Sequence, residues 1–504
     1  MKIFKEYQQD VVFLLPPSLS DFVPEGHEVR IINDVVNVMD LSALMKEYLG
    51  GGAPAYHPAM MVKVIVYAYS LEIYSSRQIE EELKTNTAFM FLSGLQIPDF
   101  RTICLFRAQH ADVLPTLFVE TVRLCASLGM VGLGHVAFDG TKLKANAASR
   151  QTKDKEGLDK EIERIKEEMK KMVEASAKID ELEDKIYGDS DGSEMPKELK
   201  KKENRLKKLL EARELLEQEK LEKINVTDHD APFMKDGHGQ IKPSYNGQIA
   251  VDTKQQVILA AATSLRPADN SELAPMAEQV KQNVGTLPLQ ASADAGYFSY
   301  ENLEHMEKNK IDAYIPDALL RTLDKNKDGS MKYDKSNFHY DLSEGIYTCP
   351  EGKLLIRQRE QMREGQPPLV VYRGESCGHC PVREKCTKRA FREVFRDPRE
   401  PLLEAMRAKL RTEEGKKTYV QRMYTVEPVF GNMKWNGRKL TLSLRGLVKV
   451  NGEFQLMCLT HNIKKVISAV AKGTVSLLDI HALLNKVDRF RRREPEMVPV
   501  NEGT

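Results

Sequence analysis

The sequence lacks any run of about 18 uninterrupted apolar residues; its best stretch, Val62 to Tyr69, is short and contains Lys63. A membrane-spanning helix is therefore not expected. The first ten residues, MKIFKEYQQD, include Glu6 and Asp10 and have no apolar core, which argues against a secretory signal. Cysteine is sparse: seven in 504 residues, an odd number, is not a disulfide scaffold. Net charge is also nearly missing, at +1. What is present is 41% hydrophobic and 30% charged residues, which excludes wholesale disorder and a fibrous repeat. At roughly 150 residues per domain the chain allows about three or four units. The expectation is a soluble, intracellular protein.

The near-zero charge hides an uneven distribution. Residues 351–450 hold 23 Lys and Arg against 12 Asp and Glu, a local +11, so the rest carries about −10. A polyanion-binding face would produce this pattern, and so would a merely solvated basic surface.

Residues 1–125 read as helical, with three- and four-residue apolar spacing over Ile31–Leu44, Pro58–Tyr74, Ser76–Lys84 and Phe100–Leu117. Asp40, Pro58 and Ser76 supply start signals. His135–Phe138 then reads as a short strand running into Asp139-Gly140. Residues 151–225 contain 41 charged residues out of 75. Within them Leu158, Ile162, Ile165, Met169, Met172, Ser176 and Ile179 form a heptad seam. Leu199, Leu206, Leu209 and Leu216 form a second stripe beyond a breaker-rich turn. This predicts an antiparallel helical hairpin. Gly247–Asp252 and Val257–Thr263 predict a β-hairpin, Glu272–Asn283 a helix, and Pro288–Ala293 and Ala313–Ile315 short strands. Residues 320–400 read as irregular, and Pro401–Ala471 as helical again.

Asp139 and Asp294 occupy similar places, each ending a strand-like segment just before glycine or Ala-Gly. Such carboxylates point out of a sheet edge, or simply cap the turn that follows. Glu427 adds a third acid on a helical stretch inside the basic block. Three carboxylates can hold two divalent cations about 3.5–4 Å apart for in-line attack on a phosphodiester, and hard oxygens select Mg²⁺ or Mn²⁺. Arg422 and Lys434 flank Glu427 and could hold a phosphate, or form surface ion pairs. Asp252, Asp269 and Asn270 could support the acids or shape turns. The cysteines Cys349, Cys377, Cys380 and Cys386 are spaced C-x27-C-x2-C-x5-C, a candidate structural zinc site in an apolar-poor segment. Asp324–Gly329 opens like a calcium loop, but Lys335 stands where a bidentate Glu is needed.

Several stretches together resemble the DDE transposases of bacterial insertion sequences, specifically the insertion-sequence 1182 group within the set carrying the Tyr-Arg-Glu-Lys signature. They are LLPPSLSDFVPEGH (14–27), GAPAYHPAMMVKVIVYAY (52–69), SSRQIEEEL (75–83), PDFRTI (98–103) and FDGTKLKANAA (138–148). Further on come TDHDAPFMK (227–235), ADAGYFS (293–299), Tyr419 to Lys434, and RGLVKVNGEFQLMCLTHNIKK (445–465). The resemblance covers residues 4 to about 467. Four residues separate Arg422 from Glu427, where the signature has three.

The resemblance implies an α/β protein. An RNase H-like core of mixed sheet and flanking helices (130–152, 226–320 and 400–470) would be interrupted by the hairpin (153–225) and by the Cys-containing insertion (321–399). An all-α DNA-binding or dimerisation domain (1–125) would precede it and a tail (471–504) follow. Asp139, Asp294 and Glu427 would be catalytic and hold two Mg²⁺ or Mn²⁺ ions, while Tyr419, Arg422 and Lys434 contact DNA. Implied partners are the element's terminal inverted repeats, target DNA and a second copy of the chain, in a bacterial cytoplasm at the nucleoid. A catalytically inactive DNA-binding remnant or regulator, and a purely hydrolytic nuclease, are the alternatives.

Overall fold

The computed structural model describes residues 18–48, 54–187, 197–236, 239–319, 332–433, 442–480 and 482–483, with side chains omitted over 175–187 and at 197. The fold is mixed α/β. Seven helices open it: α1 (Glu28–Val38), α2 (Ser42–Lys46), α3 (Pro58–Ser70), α4 (Ser76–Thr85), α5 (Thr87–Ser93), α6 (Phe100–Gln109) and α7 (Leu114–Ser127). Their ends follow local chemistry. Asp99 accepts the Thr102 N–H at 2.7 Å and Asn86 the Ala88 N–H at 3.0 Å, pairing donors that a helix start leaves free.

Two long helices expected here are broken. Ile31–Leu44 divides because Asp40 Oδ1 takes the Ser42 N–H at 2.9 Å, which starts a new helix. Phe100–Leu117 divides at His110–Val113, ahead of Pro115, whose ring suits a first turn but not a helix interior. Ser76 is the first residue of α4 rather than its cap, and its hydroxyl accepts from Arg107 at 2.5 Å.

The main sheet holds six strands: β1 (His135–Lys144), β4 (Phe233–Lys235), β5 (Ile241–Asp252), β6 (Ile258–Ser264), β7 (Gln290–Ser292) and β8 (Asp312–Tyr314). The order runs β4-β5-β1-β7-β8, with β6 also paired to β5. Strand β5 runs antiparallel to both β1 and β6, whereas β7 and β8 run parallel to β1. Helix α10 (Leu273–Val284) links β6 to β7, and α11 (Tyr300–Lys308) links β7 to β8. Helices α13 (Glu400–Arg411), α14 (Glu413–Met433) and α15 (Leu447–Ala471) follow later in the chain. One continuous hydrophobic cluster runs from Val23 through Phe89, Phe118, Phe138 and Ile249 to Phe454 and Ile480. The N-terminal helices and the sheet thus share a core. Among the described residues, no helix is long and apolar enough to cross a membrane.

Between β1 and β5 the chain leaves the sheet as α8 (Lys155–Tyr187) and α9 (Lys197–Gln218), above the small β2 (Thr152–Lys153) and β3 (Ile224–Asn225) pair. Leu158, Ile162 and Ile165 pack on Leu209, Ala212 and Leu216 in a cluster separate from the main core. The charged faces pair across the helices, Arg205 with Glu161 at 2.9 Å for example. The side chains of Ser176 and Ile179 lie outside the described residues.

Residues 321–399, read as irregular, instead carry an antiparallel five-stranded sheet: β9 (His339–Asp341), β10 (Ile346–Thr348), β11 (Leu354–Arg363), β12 (Gln366–Gly374) and β13 (Glu393–Arg396). The alternation that marks a half-buried strand is missing because β11 buries only Leu355. Pro367 and Pro368 further disguise β12. The core of this sheet is small: Phe338, Tyr347, Leu355, Tyr372 and Val394. The rejected calcium loop lies mostly outside the described residues.

Candidate active site

Asp139 and Asp294 come together through strand register. In the parallel β1–β7 pair Ala137 lies opposite Ser292, and each aspartate stands two residues further on, where β7 stops. The two aspartates therefore fall at the same level of the sheet, Asp294 just past the end of β7 and Asp139 within β1, which continues to Lys144 instead of ending at Asp139 as the sequence predicts. Gly140 follows Asp139 because the space beside it is taken: a Cβ there would come within 2.6 Å of Gln248 Nε2 and 3.0 Å of Asp269 Oδ1.

Asp269, reaching in from the β6–α10 connection, completes an acidic group. Its Oδ1 accepts from Asn246 Nδ2 at 2.6 Å and Gln248 Nε2 at 2.7 Å, and Lys142 Nζ lies 3.5 Å away. Gln248 in turn accepts from the Tyr297 hydroxyl. Burial, then Asp269, Asp139 and Asp294, hold the Tyr297 pKa well above its ordinary value, so it remains a donor. Asp252, by contrast, is a turn residue: its carboxylate accepts the N–H groups of Gly132, Leu133 and Lys254.

The electrostatics of Asp139 are unusual for a carboxylate. Its pKa is pushed up to about 6, chiefly by burial, with Asp294 and Asp269 adding to the rise and Arg422 and the Gly140 N–H opposing it. Arg422, on α14, is a second cation at this site, with Nη1 3.3 Å from Asp139 Oδ2. Burial works against the Arg422 charge, yet Asp139, Tyr419 and Asp294 hold its pKa above the ordinary value. Its Nε and Nη1 nevertheless lack hydrogen-bond partners. A buried guanidinium with spare donors beside crowded carboxylates is equipped to bind a phosphate oxygen.

Glu427 is exposed, five residues beyond Arg422, and thus about 140° round the helix at 3.6 residues per turn. Among the described residues, no group of three or more His, Cys, Asp or Glu side chains stands ready-made around a metal. The Asp139–Asp294 pair fits a hard divalent cation by its all-oxygen donors, and the level register of the two strands sets the two residues close together. Glu427 is not gathered with it. Lys434 lies outside the described residues.

The helix carrying Glu427 has its own support. Pro428 lacks an N–H, so the Tyr424 carbonyl four residues earlier loses its donor within α14. Gln256 Nε2, from the β5–β6 turn, donates to that carbonyl at 2.8 Å. Gln256 is itself held by Lys465 Nζ at 2.6 Å and His461 Nε2 at 3.0 Å, both from α15. Gln256→Ala should therefore cost about 1 kcal/mol in chemical denaturation. In a Pro428→Ala background, where the helix supplies its own donor, that cost should largely vanish. Equal costs in both backgrounds would show that the bond does not replace the missing one.

Sequence reasoning had weighed Asp269 only as support and had missed Gln248, Asn246 and Gln256. For Asn246 and Gln248, which are 0% and 1% exposed, the available signal was two amides set just before the apolar run Ile249–Val251 of β5.

Comparison with known families gives two matches. Residues 348–467 match a family described as Transposase DDE domain, and residues 17–109 match one described as Transposase domain (DUF772). The first includes Arg422, Glu427 and the four clustered cysteines but begins after Asp139 and Asp294. No curated protein matches the chain. Both matched domains indicate a transposase, whose substrate is DNA.

Proposed function

We propose that the chain is a metal-dependent DDE transposase of the insertion-sequence 1182 group, which cleaves the ends of its element and joins them to target DNA. The observation that carries this reading is the register that sets Asp139, within β1, level with Asp294, just past the end of β7. They lie in a sheet whose first three strands are antiparallel and whose last two run parallel to the first, as in an RNase H-like core. Asp139 and Asp294 would hold Mg²⁺ or Mn²⁺ with Glu427 completing the donor set. Bound metal would activate water or a 3′-hydroxyl and stabilise the leaving oxygen. Arg422 would hold the scissile or a flanking phosphate, with Tyr419 orienting it. Lys434 would contact the backbone nearby. Asp269, fixed by Asn246 and Gln248, would keep the neighbouring carboxylates in place.

In this reading the N-terminal helices read the element ends, the α8–α9 hairpin is an insertion, and the active complex is a homodimer. The test is incubation of purified protein with Mg²⁺ and DNA carrying the inverted repeats that flank its gene. Joining of 3′ ends to a target supports the proposal. Nicks without joining would indicate a hydrolytic nuclease, and repeat-specific binding without either reaction an inactive regulator. The exposed position of Glu427 is what gives that last outcome its physical basis.

A further inference from the structure

Outside the acidic site, four cysteines come together beside the five-stranded sheet. Cys349 follows β10, Cys377 and Cys380 flank a tight turn, and Cys386 ends the short helix α12 (Arg383–Cys386). All four are free thiols, 37 residues apart at the extremes, yet they line one small cavity of about 30 Å³. Two sulfurs already accept backbone N–H groups: Cys349 Sγ from Lys353 at 3.3 Å and Cys377 Sγ from Arg392 at 3.5 Å. Such bonds favour sulfur carrying negative charge. Gly374 leaves room for the Cys377 sulfur, since a Cβ there would collide with it.

We propose that Cys349, Cys377, Cys380 and Cys386 bind one zinc ion in a tetrahedral, purely structural site. Zinc is the fitting ion because four thiolates with no open position make a closed site for a soft-tolerant, redox-inert metal. The sulfurs surround the cavity without yet forming a closed ligand group. Binding displaces four thiol protons, and Zn–S bonds of about 2.3 Å draw the sulfurs inward. The need is physical. Among the described residues its core cluster holds five buried side chains, so the sheet has little apolar burial of its own. A metal joining the turn after β10 to the 377–386 segment would fasten both of its ends.

The test uses the full chain and does not depend on transposition. Protein is stripped with chelator and titrated with Co²⁺, then Zn²⁺. Expected are thiolate-to-cobalt charge-transfer bands with tetrahedral d–d absorption, saturating at one ion per chain and displaced by Zn²⁺. A cobalt ion at the aspartates would give no thiolate band, so the two sites are distinguishable. The Cys377→Ser/Cys380→Ser double variant should lose the band, while Cys104→Ser, altered at an exposed thiol elsewhere, should keep it. Should the double variant not fold, stepwise mercurial titration of the zinc-loaded parent gives the same information, with release of one zinc as four thiols react. Absence of a thiolate band, retention of it in the double variant, or a disulfide among the four cysteines in the freshly purified protein would overturn the proposal.

Discussion

Asp139→Asn should abolish DNA cleavage while raising the melting temperature of metal-free protein at pH 8. The two effects share one cause. In the folded protein the Asp139 pKa is about 6, against an ordinary 3.8. Between these values the folded state holds a proton that the unfolded state has released, so stability falls as pH rises from about 4 to about 6 and stays lower above it. Asparagine has the shape of the protonated acid and escapes that penalty. Two pKa units correspond to on the order of 2–3 kcal/mol, which sets the upper size of the gain. At pH 4.5 much of the difference between parent and variant should close. Cleavage should nevertheless fall below about one-hundredth, since even outer-shell partners of a metal contribute 10- to 100-fold. Asp294→Asn should also lose cleavage. Added Mn²⁺ should stabilise the parent more than Asp139→Asn. A variant that cleaves normally would remove Asp139 from the chemistry. One that melts lower at pH 8 would contradict the electrostatic account.

What the sequence disclosed follows from how each feature is encoded. The strands leading to Asp139 and Asp294 were legible because a short apolar run is a local pattern, but the acid and glycine after His135–Phe138 do not end β1, which continues to Lys144. The β5–β6 hairpin and α10 were legible for the same reason. The five-stranded sheet was not, because its longest strand, β11, buries only Leu355 and the sheet relies on aromatic contacts across strands. Tyr340, Tyr347 and Tyr372 pack together, with the Arg396 guanidinium 3.7 Å above the Tyr340 ring. No periodicity records such an arrangement. The site shows the same division. Asp139 and Asp294 carry their own local signature, but Asp269 joins them only through Asn246 and Gln248, more than 20 residues earlier in the chain. Glu427 was singled out as an acid on a helical stretch inside the basic block, and a place on a helix does not say which face is turned to the aspartates.

The five-stranded sheet meets the rest of the fold through charge, and Asp397 is the centre of that contact. Its side chain is 3% exposed. It accepts Arg363 Nη2 at 2.5 Å, Arg399 Nε and Nη2 at 3.0 and 3.1 Å, and the Arg399 N–H at 2.9 Å. Arg399 also reaches Glu301 on α11 at 2.8 Å, and Lys335 pairs with Glu400 at the start of α13. Burial alone would raise the Asp397 pKa, but the bonds from Arg399 and Arg363 hold it well below the ordinary carboxylate range. Asp397→Ala leaves two arginines short of their main partner, and removing one member of a buried ion pair costs about 3–5 kcal/mol. The lower end is expected, because Arg399 keeps Glu301 and Arg363 keeps the Pro367 carbonyl. A depressed pKa adds stability above the unfolded value, and that stability fades as pH falls below about 4. Parent and Asp397→Asn should therefore differ at pH 7 and converge in acid. Hydrogen exchange should locate the loss, with protection falling in 339–374 before it falls in the main sheet. Unchanged exchange in those strands would mean that the sheet is held by its apolar contacts and that the charged network contributes nothing measurable.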